Sequence, residues 1–467
     1  MRKSIIWGFF CALFSAAQLS AGSIGEAAME TDLLQCGSAS VLSSEADTIL
    51  YATGEELNPE ADISLYATAA VLLDADTGRV LYGKNADTPM AMASTTKILT
   101  CILVLENASL DETLEVSDYA ASMPKVKLYL KKGEQYTVRD LLYSLMLESH
   151  NDSAVALAEH VGKKLLEQPL ADKPGGQYTA AESKEAVAAF AGLMNEKAVE
   201  LGCEDSWFIT PNGLDATQEF TLQDGTVIQK EHCTTAAELA GIMAYCIGSS
   251  PQKETFLEIT RTPSYSFYAN GRSFSCANHN AFLGMMDGAL SGKTGFTNKA
   301  GYCYVGALQR EGRTFVVALL ACGWPNNKTW KWSDTKELMQ YGLDNYFYKG
   351  FDEAGIAFDE SRLKPIPVGN GQTEILGETA YTDIMIAEAE NAENVEGLLL
   401  RAGEKIEVEY SWEKSLEAPV ESGTRIGEIL YAVDGKVYKR ESIVVADTIP
   451  RIDFEWCLRQ ILRRFLI

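Results

Sequence analysis

The chain has 467 residues, 46% of them apolar, and 65 acidic against 40 basic side chains give a formal net charge of −25. That length and apolar content provide for two or three folded units with a sizeable core. The acidic balance, with no basic block and no interleaving of aromatic with basic residues, argues against nucleic acid as a partner.

Residues 1–22 carry Arg2-Lys3, an apolar run from Ile5 to Phe14 and then small residues up to Gly22. This is the pattern of a cleaved export signal, and it predicts a protein that works outside the cytoplasm. The run is short for a membrane span. From there to Arg79 the chain has no lysine or arginine, while acidic residues accumulate among alanine, serine and glycine, so residues 23–62 are expected to form a flexible acidic arm. Ten cysteines include Cys11 in the signal, and the other nine have no regular spacing, so no disulfide framework is legible. His150, His160, His232 and His279 lack metal-ligand spacing, and no metal or other cofactor is expected.

Ordered structure is expected to begin at a hairpin, 69–74 and 79–82 around Asp76-Thr77-Gly78. Ser94-Thr95-Thr96-Lys97 then heads an apolar run over 98–105, which predicts a buried helix. One helical turn places Lys97 beside Ser94, a hydroxyl nucleophile with an amine base. The same Ser-x-x-Lys pattern occurs at Ser122/Lys125, Ser333/Lys336 and Ser411/Lys414, so context must decide. A second apolar helix over 141–147 stops at Ser149-His150-Asn151-Asp152, and another begins at once, which puts Ser149 and Asn151 in a tight loop. Residues 163–183 are polar, contain Pro174-Gly175-Gly176 and predict a surface loop, with helical spacing resuming at Val187. Pro211-Asn212-Gly213 marks a fixed turn. Lys293-Thr294-Gly295 is expected on a strand beside the hairpin 302–308/314–320, where a lysine and a hydroxyl can bind a carboxylate and the glycine admits a substrate backbone.

Ser-x-x-Lys, Ser-x-Asn and Lys-Thr-Gly in this order resemble the serine penicillin-recognising enzymes. The stretch 141–159, Thr210-Pro211-Asn212-Gly213-Leu214, Asn278-His279-Asn280 and Lys-Thr-Gly-Phe-Thr at 293–297 narrow this. Over about 65–350 the chain is similar to the low-molecular-weight penicillin-binding proteins that are serine-type D-alanyl-D-alanine carboxypeptidases. The resemblance implies an α/β transpeptidase fold of the penicillin-binding-protein and β-lactamase type, with an antiparallel sheet flanked by helices and a helical subdomain. It spans 63–352 and is followed by a small all-β domain.

The resemblance also implies the chemistry. Ser94 attacks the D-Ala-D-Ala bond of a peptidoglycan stem peptide, with Lys97 as base and Ser149 as proton relay. Asn151 holds the substrate amide, Lys293 and Thr294 bind the terminal carboxylate, and the amides of Ser94 and Phe296 receive the oxyanion, with Gly295 between them. Penicillins are then expected to label Ser94. A β-lactamase and a non-catalytic wall or β-lactam sensor are the alternatives, and neither the glutamate of the former nor a motif lost to the latter is visible. His150, where the family usually has a small residue, suggests crowding of the site or an altered pH profile.

Past Pro367 short strand-like runs and Asp434-Gly435 predict a β domain over 366–448. After Pro450, residues Phe454, Cys457, Leu458, Ile461, Leu462 and Phe465 fall on one helical face, with Arg459, Arg463 and Arg464 elsewhere. Residues 450–467 are therefore expected to lie as an amphipathic helix on an anionic membrane surface, tethering an exported protein at the outer face of the cytoplasmic membrane.

Overall fold

The computed structural model describes residues 63–166, 173–221, 225–353, 355–387 and 395–465. The export signal and the acidic arm expected at 1–22 and 23–62 lie outside the described residues.

Strand β1 (Ala69–Asp74) is buried along its whole length and turns into β2 (Val80–Lys84). The Asp74 carboxylate closes that turn by accepting from the Thr77 hydroxyl at 2.6 Å and the Asp76 amide at 3.2 Å. Helix α1 (Lys97–Asn107) is buried from Lys97 to Leu105, as its apolar sequence requires. Helix α2 (Val138–Tyr143) starts at Thr137, whose side chain caps the Asp140 amide, and α3 (Asn151–Leu165) follows after one π turn.

The loop expected over 163–183 is shorter than its polarity suggests. Helix α3 runs through Leu165, and α4 (Ala180–Glu200) begins seven residues before Val187 at a capping box formed by Thr179 and Glu182. There the cap, not the apolar spacing, sets the start of the helix. Strands β3 (Thr217–Thr221) and β4 (Val227–Glu231) form a two-stranded ribbon, and α5 (Ala236–Ile247) returns into the core.

Strands β5 (Ala289–Thr297), β6 (Gly301–Arg310) and β7 (Arg313–Leu320) complete an antiparallel sheet of order β2–β1–β7–β6–β5, and α6 (Trp330–Asn345) covers its outer face. Alternation of side chains divides the apolar strand residues between two cores. Val71, Leu73, Val305 and Val316 pack with α1, α3 and α5, whereas Leu72, Tyr304, Phe315 and Val317 pack against Leu338, Met339 and Leu343 of α6. This is the expected fold, a central antiparallel sheet between helical layers.

Strand β8 (Tyr346–Gly350) leaves α6 and pairs antiparallel with a later strand, so the all-β part is joined to the first part by a ladder. That part comprises β9 (Ile366–Gly369), β10 (Ala380–Thr382), β11 (Ile384–Ile386), β12 (Gly397–Arg401), which is the partner of β8, β13 (Glu407–Trp412), β14 (Arg425–Val433) and β15 (Lys436–Val445). Asp434 and Gly435, at φ 50° and 78°, form the tight turn between β14 and β15 that Asp-Gly predicts. Arg79 at the end of the first hairpin reaches across to Glu404 at 2.8 Å and donates to the Leu399 carbonyl, both charges being nearly buried.

Helix α7 (Phe454–Phe465) is capped by Asp453, which accepts from the Trp456 amide at 2.7 Å. It docks through Trp456 and Gln460, which are buried. Phe454, 82% exposed, and Leu458, Ile461 and Leu462 face outward. No helix among the described residues is long and apolar enough to cross a membrane.

Candidate active site

The nucleophile turn is a 3-10 turn, Ala93–Thr96, that runs directly into α1. Ala93 has φ 50°, and the hydroxyls of Thr95 and Thr96 donate to the carbonyls of Met92 and Ala93 at 2.6 and 2.8 Å, which fixes the turn on both sides of Ser94. Lys97 is wholly buried, and its Nζ lies 2.8 Å from Ser94 Oγ. The same nitrogen donates to Asn151 Oδ1 at 3.0 Å and to the Asn212 carbonyl at 2.5 Å. Asn151 Nδ2 donates to the Pro124 carbonyl at 3.3 Å, which settles the orientation of its amide.

Two of the three neighbours of Nζ can only accept. A neutral amine donates two hydrogens and keeps one lone pair, so this arrangement turns the lone pair toward the Ser94 hydroxyl. Burial pushes the Lys97 pKa well down, and the Lys293 charge adds to this, against a smaller opposing pull from Asp152. Lys97 is therefore set up to take the proton of Ser94.

The second motif owes its position to an irregularity. The π turn Ser144–Glu148 ends at Ser149, which has φ 65° in the left-handed region, and α3 begins two residues later. Such a backbone is disfavoured for serine and is held by the buried helices on either side. It aims Ser149 Oγ at Lys293 Nζ, 2.9 Å away. Lys293 also donates to the Thr294 carbonyl at 2.8 Å, and burial lowers its pKa to about 7.

Lys293, Thr294, Gly295 and Phe296 all lie on β5, the edge strand of the sheet. Gly295 is required for a reason beyond the expected one. A Cβ there would lie 2.9 Å from the Ser94 amide nitrogen and 3.0 Å from the Ala93 Cβ, so glycine also admits the nucleophile turn. Gly213, at φ 81°, abuts the Ala93 carbonyl from the other side, where a Cβ would be 2.0 Å away. The structure thus forms two hydrogen-bonded groups, Ser94 with Lys97 and Asn151, and Ser149 with Lys293, with Thr294, Gly295 and Phe296 on the same strand as Lys293.

His150 does not crowd these groups. Its ring is turned to the Ser144 hydroxyl, with Nδ1 2.8 Å from Oγ, and it is 9% exposed. Burial lowers its pKa.

Three contributions were hidden from a reading of side-chain patterns. The Asn212 carbonyl holds Lys97, and a backbone group leaves no residue signature beyond the turn itself. Asp152 accepts from the Leu128 and Leu130 amides at 2.9 and 3.1 Å and pins the segment that lies over Asn151. His232 accepts the Ile209 amide on Nδ1 at 3.0 Å, so its Nε2–H donates to Thr96 Oγ1 at 2.9 Å. Burial, and then the nearby Lys97, push its pKa down to about 3, so the ring is neutral. Among the described residues no group of three or more metal-ligating side chains is arranged to hold an ion, and the eight described cysteines are free thiols.

A buried amine poised on a serine, with a lysine on the edge strand of an antiparallel sheet bonded to a second serine between two buried helices, defines a serine hydrolase of the penicillin-recognising class. The family model for D-alanyl-D-alanine carboxypeptidase matches residues 55–164 and 180–321, and the chain belongs to this family. The unmatched residues between these spans coincide with the segment joining α3 and α4. A second model, the penicillin-binding protein 5 C-terminal domain, matches 401–451.

Among curated relatives, the D-alanyl-D-alanine carboxypeptidase DacF of Bacillus subtilis is 23% identical over 398 residues, covering 83% of this chain and 86% of that one. DacB2 of Mycobacterium tuberculosis, also a D-alanyl-D-alanine carboxypeptidase, is 30% identical over 251 residues, covering 54% and 73%. Penicillin-binding protein 5 of Haemophilus influenzae shares the fold, with a TM-score of 0.59 at 22% identity, over 84% of this chain and 99% of that one. The chain is a serine-type carboxypeptidase of the cell-wall class.

Proposed function

We propose that the chain removes the terminal D-alanine from peptidoglycan stem peptides through an acyl-enzyme on Ser94. The observation that carries this reading is that the buried Lys97 Nζ lies 2.8 Å from Ser94 Oγ, with the acceptors Asn151 Oδ1 and the Asn212 carbonyl as its other partners. Ser94 Oγ attacks the carbonyl between the two D-alanines while its proton passes to Lys97 Nζ. The oxyanion is received by the backbone amides of Ser94 and Phe296. Ser149, bonded to Lys293, passes a proton to the leaving amine, D-alanine departs, and water then hydrolyses the ester. Asn151 holds the substrate amide, and Lys293 and Thr294 hold the terminal carboxylate.

A β-lactam amide enters the same path and leaves a stable ester. Digestion and mass spectrometry of penicillin-treated protein should find the adduct on the peptide containing Ser94. An adduct elsewhere, or none, would remove the assignment.

The site works outside the cytoplasm in this reading, at a membrane surface. Helix α7 supports this, because it docks by Trp456 and Gln460 and turns its apolar side outward, with Arg459, Arg463 and Arg464 exposed in an otherwise acidic chain. A chain ending at Ile452 keeps the Val420–Ile449 bridge of the β part and should no longer sediment with anionic phospholipid vesicles. Undiminished sedimentation rules α7 out as the anchor.

A further inference from the structure

The segment over Asn151 carries Lys125, Lys127, Lys131 and Lys132 in a chain of net charge −25. It is not a loose loop. The Asp152 carboxylate holds the Leu128 and Leu130 amides, the Asn151 amide donates to the Val126 carbonyl at 2.8 Å, and the Asn151 side chain donates to the Pro124 carbonyl. Asn151 also binds Lys97 through Oδ1. One residue therefore ties the catalytic amine to the backbone on which Lys125 and Lys127 sit.

Lys125 is exposed, and Val126 and Tyr129 are 54% and 55% exposed. Lys127 Nζ lies 5.5 Å from the centre of the Tyr129 ring and donates to the Ala121 carbonyl at 3.3 Å. Among the described residues no carboxylate forms an ion pair with either lysine. Asp152 is taken by backbone amides, and Glu134 by Arg272 and Tyr136. Cations without a carboxylate partner, on a backbone tied to the site through Asn151 in a protein that otherwise repels anions, attract a substrate carboxylate.

We propose that Lys125 and Lys127 form a subsite for a free carboxylate of the peptide upstream of the bond that is cut. This rests on the carboxypeptidase reading and adds the acidic stem peptide as the preferred substrate class. Two carboxylates offer that chemistry, one on a γ-linked glutamyl residue at the second position and one on the side chain of a dicarboxylic diamino acid at the third.

The test uses three pentapeptides ending in D-Ala-D-Ala, one neutral, one with a carboxylate at the second position and one at the third. D-alanine release by the full chain is compared with that by the double variant Lys125→Gln/Lys127→Gln, by Lys125→Glu and by Lys125→Arg. One acidic peptide should exceed the neutral one in kcat/KM by about fivefold, through KM, and the advantage should shrink as salt is added. Whichever peptide shows it identifies the carboxylate. The advantage should vanish in the double variant, reverse in Lys125→Glu and persist in Lys125→Arg. Equal rates on the three peptides, or a preference that survives the double variant, overturn the subsite alone. No release from any peptide overturns the carboxypeptidase reading and the subsite with it.

Discussion

Lys97→Met should lower D-alanine release and β-lactam acylation together, by about a thousandfold or more, because the hydroxyl of Ser94 then has no base within reach. Lys97→Arg should fail to the same extent. A guanidinium keeps the positive charge but does not give up its proton in the working range, and the site needs the lone pair rather than the charge. In the parent, burial and then the Lys293 charge lower the Lys97 pKa, so the acylation rate should hold to a pH below the ordinary lysine value and fall as acid protonates the amine. Stopped-flow acylation by a chromogenic β-lactam across pH, for the parent and both variants, measures all three. Substantial acylation by Lys97→Arg would mean that the lysine acts through its charge.

The second large effect is expected at His232, more than a hundred residues from Ser94 in sequence. His232→Leu leaves the half-buried Ile209 amide without its acceptor and removes the donor to Thr96 Oγ1, a loss of about 1–3 kcal/mol at most for the unmatched amide. The ring also dictates an acid response. Its folded pKa, about 3, lies below the ordinary value of 6.5, so between these limits the unfolded chain binds the extra proton and stability falls as pH falls. The slope from this group is about 1.4 kcal/mol per pH unit. His232→Leu should be less stable at pH 7 and should lose part of the acid sensitivity of the parent below pH 6.5. Urea denaturation of both proteins at pH 7, 6 and 5 gives the comparison, and parallel declines would show that His232 is charged when folded.

The sequence discloses most of the frame because the frame is periodic. The short apolar runs in 69–74 and 302–320, bounded by turn residues, and the longer apolar run after Lys97 match strands and a helix buried on both faces. The three motifs identify the chemistry as well, through residue type and order. What they leave out is set by departures from regular geometry. The π turn and the left-handed Ser149 have no periodic trace, yet they are what bring Ser149 to Lys293.

The same holds for groups that act through the backbone. The Asn212 carbonyl orients the Lys97 amine, and Gly295 lies against the nucleophile turn, where a Cβ would press on the Ser94 amide. His150 stands in the middle of a motif, where crowding or an altered pH profile is expected, and its ring is directed to Ser144. Motif position fixed the backbone of that residue and not its rotamer.

The account as a whole turns on whether Ser94 releases D-alanine. The decisive measurement is D-alanine production from a diacyl-Lys-D-Ala-D-Ala tripeptide by the chain lacking residues 1–22, beside Ser94→Ala. Release by the parent, with none from the variant above the peptide-only blank, is the predicted result. Equal release by both proteins, or none by a parent that still binds penicillin on Ser94, would contradict the assignment of this site as a D-alanyl-D-alanine carboxypeptidase.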